Sequence, residues 1–150
     1  MTPNPLVERT HNGMENMLRD FTKWTLWKHR KEFDLSLPGV YILGRFEDGA
    51  SGKPLMSAPL VYIGETCEQS LRSRLGQFER SAFLGKAGHS GGLTFSSTYK
   101  SAPDPSWLYI SVLGVSLEEP QSSAYIRYVE RALLWRYVQN HRGLPACNRK

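Results

Sequence analysis

Cysteine is scarce in this 150-residue chain: Cys67 and Cys147 stand far apart, and neither has a second cysteine or a histidine array at metal-ligand spacing. That excludes a zinc finger and a disulfide framework, and two reduced thiols in a reducing compartment are expected. Long apolar runs are missing too. No stretch could span a bilayer, and the opening MTPNPLVERTHNG has no apolar signal core, so a cytoplasmic protein with no membrane partner is expected. Repeats and low-complexity tracts are also absent. Acidic residues fall short of basic ones, 14 against 19, and the formal charge of +5 favours polyanionic partners. What is present, 40% hydrophobic and 22% charged residues, is the ordinary make-up of one globular domain with a real core.

Along the chain, Met14, Met17, Leu18, Phe21 and Trp24 recur at helical spacing ahead of the basic cluster Lys28-His29-Arg30-Lys31. This predicts one amphipathic helix in an N-terminal extension over 1–37; the cluster either complements the helix dipole or touches DNA. LPGVYILGRF and LVYIG read as two strands joined by the loop EDGASGKPLMSAP, a long-looped antiparallel hairpin. Leu71, Leu75, Phe78 and Ala82 form the stripe of a helix with Ser70 as its N-cap. Residues 85–105, rich in Gly, Ser and Pro, read as an irregular insertion. SWLYISVLGV is a third strand, and SSAYIRYVERALLWRYVQNH a long helix stopping before Gly143. The expected fold is α/β of the α+β kind, a small three-stranded antiparallel sheet flanked by helices, with its core over 38–150.

Two charged positions ask for an explanation. Glu130 falls within the arc of the apolar stripe Ile126, Val129, Leu133 and Tyr137. A carboxylate there needs a cation, an arginine or a proton. A salt bridge to Arg74 and a divalent metal ion are the two readings, and helix geometry alone favours the salt bridge. Arg72 and Arg74 flank the stripe of the preceding helix, where arginine is usually a solvated surface charge but where a guanidinium can also reach over a sheet edge to a phosphate.

Taken in order, Gly39-Val40-Tyr41, Tyr62-Ile63-Gly64, LRSRL with Arg74, Glu130, and LPACN ending in Asn148 resemble the GIY-YIG nuclease domain, over about Pro38 to Asn148. The resemblance implies metal-dependent hydrolysis of a DNA phosphodiester, with DNA as partner and Mg²⁺ (or Mn²⁺) as cofactor. It implies that Tyr41 and Tyr62 lie side by side on adjacent strands, with Tyr41 as general base. Arg74 would grip the scissile phosphate, Glu130 would hold the metal ion and Asn148 would brace the site. Arg74 fits the leucine-x-x-arginine-leucine pattern at the cost of two extra residues in ETCEQS, and Arg72 is the alternative. Phe78 stands where some members carry histidine, so no histidine base is expected at that position. Glu65, after Gly64, is either a second metal ligand or a solvent-facing loop residue.

Tyrosine is a poor base at neutral pH, since its reference pKa is about 10. Arg74 or a metal ion nearby is expected to lower it. Lys53 in the hairpin loop, and Lys86 with His89 in the insertion, are placed to contact DNA phosphates, although an ordinary surface role is the commoner fate of such groups. A restriction-like endonuclease is the leading expectation. The alternatives are a structure-selective repair or mobile-element nuclease and a catalytically inactive nucleic-acid-binding module.

Overall fold

The computed structural model describes residues 13–56 and 59–149. Its centre is an antiparallel four-stranded sheet in the order β1-β4-β2-β3. Strand β1 covers Thr25–Leu26, β2 Gly39–Arg45, β3 Leu60–Thr66 and β4 Leu108–Gly114. β2 is central in the sheet and covered by helices on both faces, so its apolar run is continuous rather than alternating. Val40 and Ile42 join the core beneath helix α4 (Gln121–His141) and the helical residues 13–19, α1. Tyr41 and Leu43 join the opposite core under α2 (Leu71–Leu84) and α3 (Ser90–Tyr99).

The predicted hairpin of β2 and β3 is present, as are both helical stripes: Leu71, Leu75, Phe78 and Ala82 of α2 are buried, and so are Ile126, Val129, Leu133 and Tyr137 of α4. Ser70 caps α2, its hydroxyl accepting from the Ser73 N–H at 3.1 Å. In α4, four buried stripe residues at about 1.5–3 kcal/mol each outweigh the cost of carrying one half-buried carboxylate, Glu130, in the same arc.

Three expectations are corrected. The sheet has four strands rather than three, the extra one being the two-residue β1 on β4. The single amphipathic helix of the N-terminal extension is broken: α1 ends at residue 19, β1 follows, and Trp27–Glu32 form a 3-10 helix. Thr22 accounts for the break. Its N–H donates to the Val112 carbonyl at 2.9 Å, its hydroxyl accepts from the Val112 N–H at 2.9 Å, and its carbonyl accepts from the Ser111 hydroxyl at 2.5 Å. β4 thus offers this segment better backbone partners than a helix of β-branched and aromatic residues would. Trp27 is then fully buried, so the segment belongs to the core rather than to an appendage. Residues 1–12 of the expected extension lie outside the described residues.

The third correction concerns the insertion, which contains a whole helix. SGGLTFSSTY has poor helix propensity, but Phe95 packs against Phe78, Phe83, Tyr99 and Trp107 with ring centroids 4.8–5.8 Å apart, and that packing overrides propensity. Among the described residues no helix is long and apolar enough to cross a membrane.

Candidate active site

The register of the hairpin places the two tyrosines. Tyr41 pairs with Gly64 and Leu43 with Tyr62, so all four project from the same face. A register slip at Leu43/Gly44 leaves Val61 as an extra residue in β3, a bulge at the site's edge. The Tyr41 and Tyr62 rings lie 5.9 Å apart between centroids. Gly64 makes room for both, since a Cβ there would come within 2.4 Å of the Tyr62 ring and 2.5 Å of Tyr41 Cζ. Gly64→Ala should therefore displace the rings and overpack the face, lowering stability by about 1–3 kcal/mol. Urea denaturation checks it; an unchanged midpoint would mean that the rings are not held as described.

The N-terminus of α3 closes over this pair. The Tyr41 hydroxyl and His89 Nε2 are 2.6 Å apart. His89 is the N-cap of α3, its Nδ1 accepting from the Gly92 N–H at 3.0 Å. The His89 N–H donates to Ser81 Oγ at 3.1 Å, and that hydroxyl donates to the Lys86 carbonyl at 2.6 Å. Gly91 permits the approach, because a Cβ there would lie 2.4 Å from the Tyr62 ring. The expectation that His89 is a surface phosphate contact is thus corrected: it is 1% exposed, wedged against Phe78, Tyr41 and Tyr62.

Arg74 and Arg72 part company. Arg74 is half-buried, donating to Gln77 Oε1 at 2.7 Å and to the Gly88 carbonyl at 3.2 Å, and its charge acts on Tyr41, Tyr62 and His89. Arg72 is exposed, and its charge acts on Asp34 instead. Asn148 is fixed by the C-terminal tail, which runs along β3: Ala146 and Cys147 donate to the Leu60 and Val61 carbonyls at 3.1 and 2.7 Å. The Asn148 side chain then takes both backbone groups of Ile63, accepting from its N–H and donating to its carbonyl, each at 2.9 Å. Ile63, between Tyr62 and Gly64 of β3, is so clamped in place.

A cavity of about 440 Å³ opens beside these groups, lined by Tyr62, Glu65, Ser90, Glu130, Arg131 and Asn148 among others. A smaller one of about 210 Å³ is lined by Glu65, Arg74 and Arg127 among others. Glu65 borders both, so it stands between Glu130 in the one and Arg74 in the other. The Glu130 side chain is 18% exposed. Among the described residues its ion pair is with Arg131, at 3.7 Å, and the expected Glu130–Arg74 salt bridge does not form. Burial and the Glu65 charge both push the Glu130 carboxyl up from its ordinary value, against Arg131. A larger cavity of about 900 Å³ lies between the α1–β1 segment and the hairpin loop and includes Lys53, whose ammonium sits 5.1 Å from the Phe46 ring centroid. It holds neither of the hairpin tyrosines nor Glu130, and Lys53, like the exposed Lys86, stands apart from the cluster.

The tyrosines differ from expectation in their titration. Burial raises the Tyr41 phenol well above its ordinary value, with Tyr62 adding to the effect and Arg74 opposing it. Tyr62 is also raised, by burial first. Desolvation of a fully buried ring outweighs one partly exposed guanidinium, and the predicted lowering does not occur.

Two carboxylates on one open cavity suit a hard divalent cation, which needs few protein ligands because it retains its own waters. Among the described residues no group of three or more His, Cys, Asp or Glu side chains could hold a metal ion, so a site here would rest on Glu130 with Glu65 beside it. Sequence reasoning missed the approach of His89 to Tyr41 and left Glu65 ambiguous. The run His89-Ser90-Gly91-Gly92 carried a signal for the first, a capping residue followed by glycines that allow close approach. No protein-family model matches the chain, and neither curated proteins nor solved structures give a match.

Proposed function

We propose that this chain is a GIY-YIG-type endodeoxyribonuclease that hydrolyses DNA phosphodiester bonds with a divalent metal ion, restriction-like in use. The observation that carries the reading is that Tyr62, Glu130 and Asn148 line one cavity, that Arg74 on the neighbouring cavity acts on Tyr62, and that Tyr41 lies buried beside Tyr62 with its ring centroid 5.9 Å away. Hydrolysis needs a proton acceptor for the attacking water and a cationic partner for the charge developing on the phosphate. Tyr41 takes the water proton and Tyr62 orients water or phosphate. Arg74 offers its guanidinium to the phosphate oxygens. Glu130, with Glu65 on the same cavity, fits Mg²⁺ or Mn²⁺, which when bound supplies Lewis-acid stabilisation of the phosphate charge. Asn148 keeps β3 in register beneath Tyr62. The excess of basic residues favours the polyanion.

The reading is tested by incubating the purified chain with supercoiled, linear and branched DNA, with and without Mg²⁺. Metal-dependent strand cleavage is expected, and the pattern reports any sequence or branch preference. The arginines provide a comparison within one assay. Arg74→Ala should lose about 10²–10³-fold in turnover, the scale of removing one oriented donor. Arg72→Ala should keep turnover and weaken binding in a salt-sensitive way. The reverse ranking would move the phosphate site onto Arg72 and contradict the placement of Arg74.

A further inference from the structure

We propose that His89 is a fixed-tautomer hydrogen-bond donor to the Tyr41 oxygen, a positioning residue that holds this hydroxyl, favours its deprotonated form and never takes its proton. A neutral imidazole has one N–H and one lone pair. The Gly92 N–H points at Nδ1 from 3.0 Å, so Nδ1 must supply the lone pair. The ring proton therefore sits on Nε2, 2.6 Å from the Tyr41 oxygen. Helix capping and the tyrosine contact are thus one device, and the cap decides the direction of the contact.

Neither alternative protonation state fits. A proton on Nδ1 would set two donors against each other and leave the Gly92 amide, at a buried helix N-terminus, without its acceptor. An imidazolium would do the same and add a cation near Arg74 and at the positive end of α3. Burial and the Arg74 charge accordingly push His89 down to about 3, which keeps the ring neutral.

The groups acting on Tyr41 are Tyr62 and Glu65 from β3, Arg74 from α2 and His89 from the cap of α3. Tyr62 and Glu65 oppose a phenolate; Arg74 and the His89 Nε2–H favour one. Under the endonuclease reading, on which the catalytic consequence rests, the water O–H bond breaks and its proton goes to the Tyr41 phenolate oxygen, while the water oxygen bonds to phosphorus and the leaving-group oxygen departs with the electron pair of its P–O bond. His89 retains its own Nε2 proton throughout. His89 therefore differs from a general base: it lies behind the reacting group and acts only through it.

The test has two arms on the full chain. Nitrogen-15 NMR of imidazole-labelled protein, with His89 assigned by the signals lost in His89→Gln, should show Nδ1 unprotonated and Nε2 protonated, unchanged between about pH 5 and pH 8. A proton on Nδ1, or titration near the ordinary histidine value, overturns the proposal. In cleavage, His89→Ala should lower kcat about 10²-fold with little change in KM. His89→Gln places an amide N–H near Nε2 and should stay within about tenfold of native, since glutamine donates but cannot act as a base. Equal loss in folded Gln and Ala variants would mean that the imidazole accepts the proton, against the proposal. A native chain that cuts no DNA sinks the endonuclease reading instead, and the tautomer then decides alone for or against the donor.

Discussion

Tyr41→Phe should fold and lose nearly all DNA cleavage, a drop of about 10³-fold or more on the scale of a positioned acid–base group. The ring packing of residue 41 among Tyr62, Phe78 and Leu43 is retained, so the hydrophobic core is undisturbed. What disappears is one buried oxygen. His89 loses its partner, and an unpaired buried N–H costs about 1–3 kcal/mol, so a lower melting temperature with an intact fold is expected in the same preparation. Tyr62→Phe should be milder, about 10²-fold, because under the proposed mechanism Tyr62 orients rather than carries the proton.

The pH dependence follows from burial. A phenol whose pKa is raised above its ordinary value is almost wholly protonated at neutral pH, and the base form grows about tenfold per pH unit. Cleavage by the native chain should therefore rise through neutral into alkaline pH rather than level off below neutrality, and Tyr41→Phe should lose that slope. Normal cleavage by Tyr41→Phe with a dead Tyr62→Phe would exchange the two roles. Activity in both would mean that neither tyrosine is the base.

Glu130→Gln should abolish cleavage while leaving DNA binding nearly intact, and the chelator EDTA should stop cleavage by the native chain in the same way. Glutamine keeps the shape and removes the charge that a divalent cation needs. Stability should move the other way. Because the folded chain raises the Glu130 pKa, the ionised side chain costs the fold stability above the ordinary carboxylate range, and that cost vanishes as pH falls and the group protonates. At neutral pH the Gln variant should melt no lower than native. An acid that lowers stability yet sits in a cavity with a second acid is placed for something other than packing. Near-native cleavage by Glu130→Gln at modest Mg²⁺ would make the carboxylate structural, and a clear loss of thermal stability would make its pairing with Arg131 the reason for its presence.

Much of this arrangement is readable from the residues. The stripes of α2 and α4, the Ser70 cap and the β2–β3 hairpin follow from periodicity and turn chemistry, which are local properties. The side-by-side tyrosines are what the family resemblance implies, and the register that brings their rings together, Tyr41 opposite Gly64 and Leu43 opposite Tyr62, comes from the fold. The misses share a cause: they depend on partners distant in sequence. Phe21 and Trp24 have helical spacing behind Met14 and Met17, but hydrogen bonds between Thr22 and Val112 decide the backbone there. SGGLTFSSTY is a weak helix former, yet Phe95 finds an aromatic pocket prepared by Phe78 and Trp107. The glycines after His89 signal a close approach, but only the fold shows that the partner reached is Tyr41. The lowering of the tyrosine pKa expected from nearby cations is absent because burial of the ring outweighs them, and sequence does not show how completely a ring is removed from water.

The most direct test of the central claim is single-turnover cleavage of plasmid and branched DNA in Mg²⁺ by the native chain, Tyr41→Phe, Arg74→Ala and Glu130→Gln, purified in parallel. The account predicts cutting by the native chain, and large losses in all three variants although each still binds DNA. Intact DNA with the native chain in either Mg²⁺ or Mn²⁺, or cutting that all three substitutions leave unchanged, would contradict it.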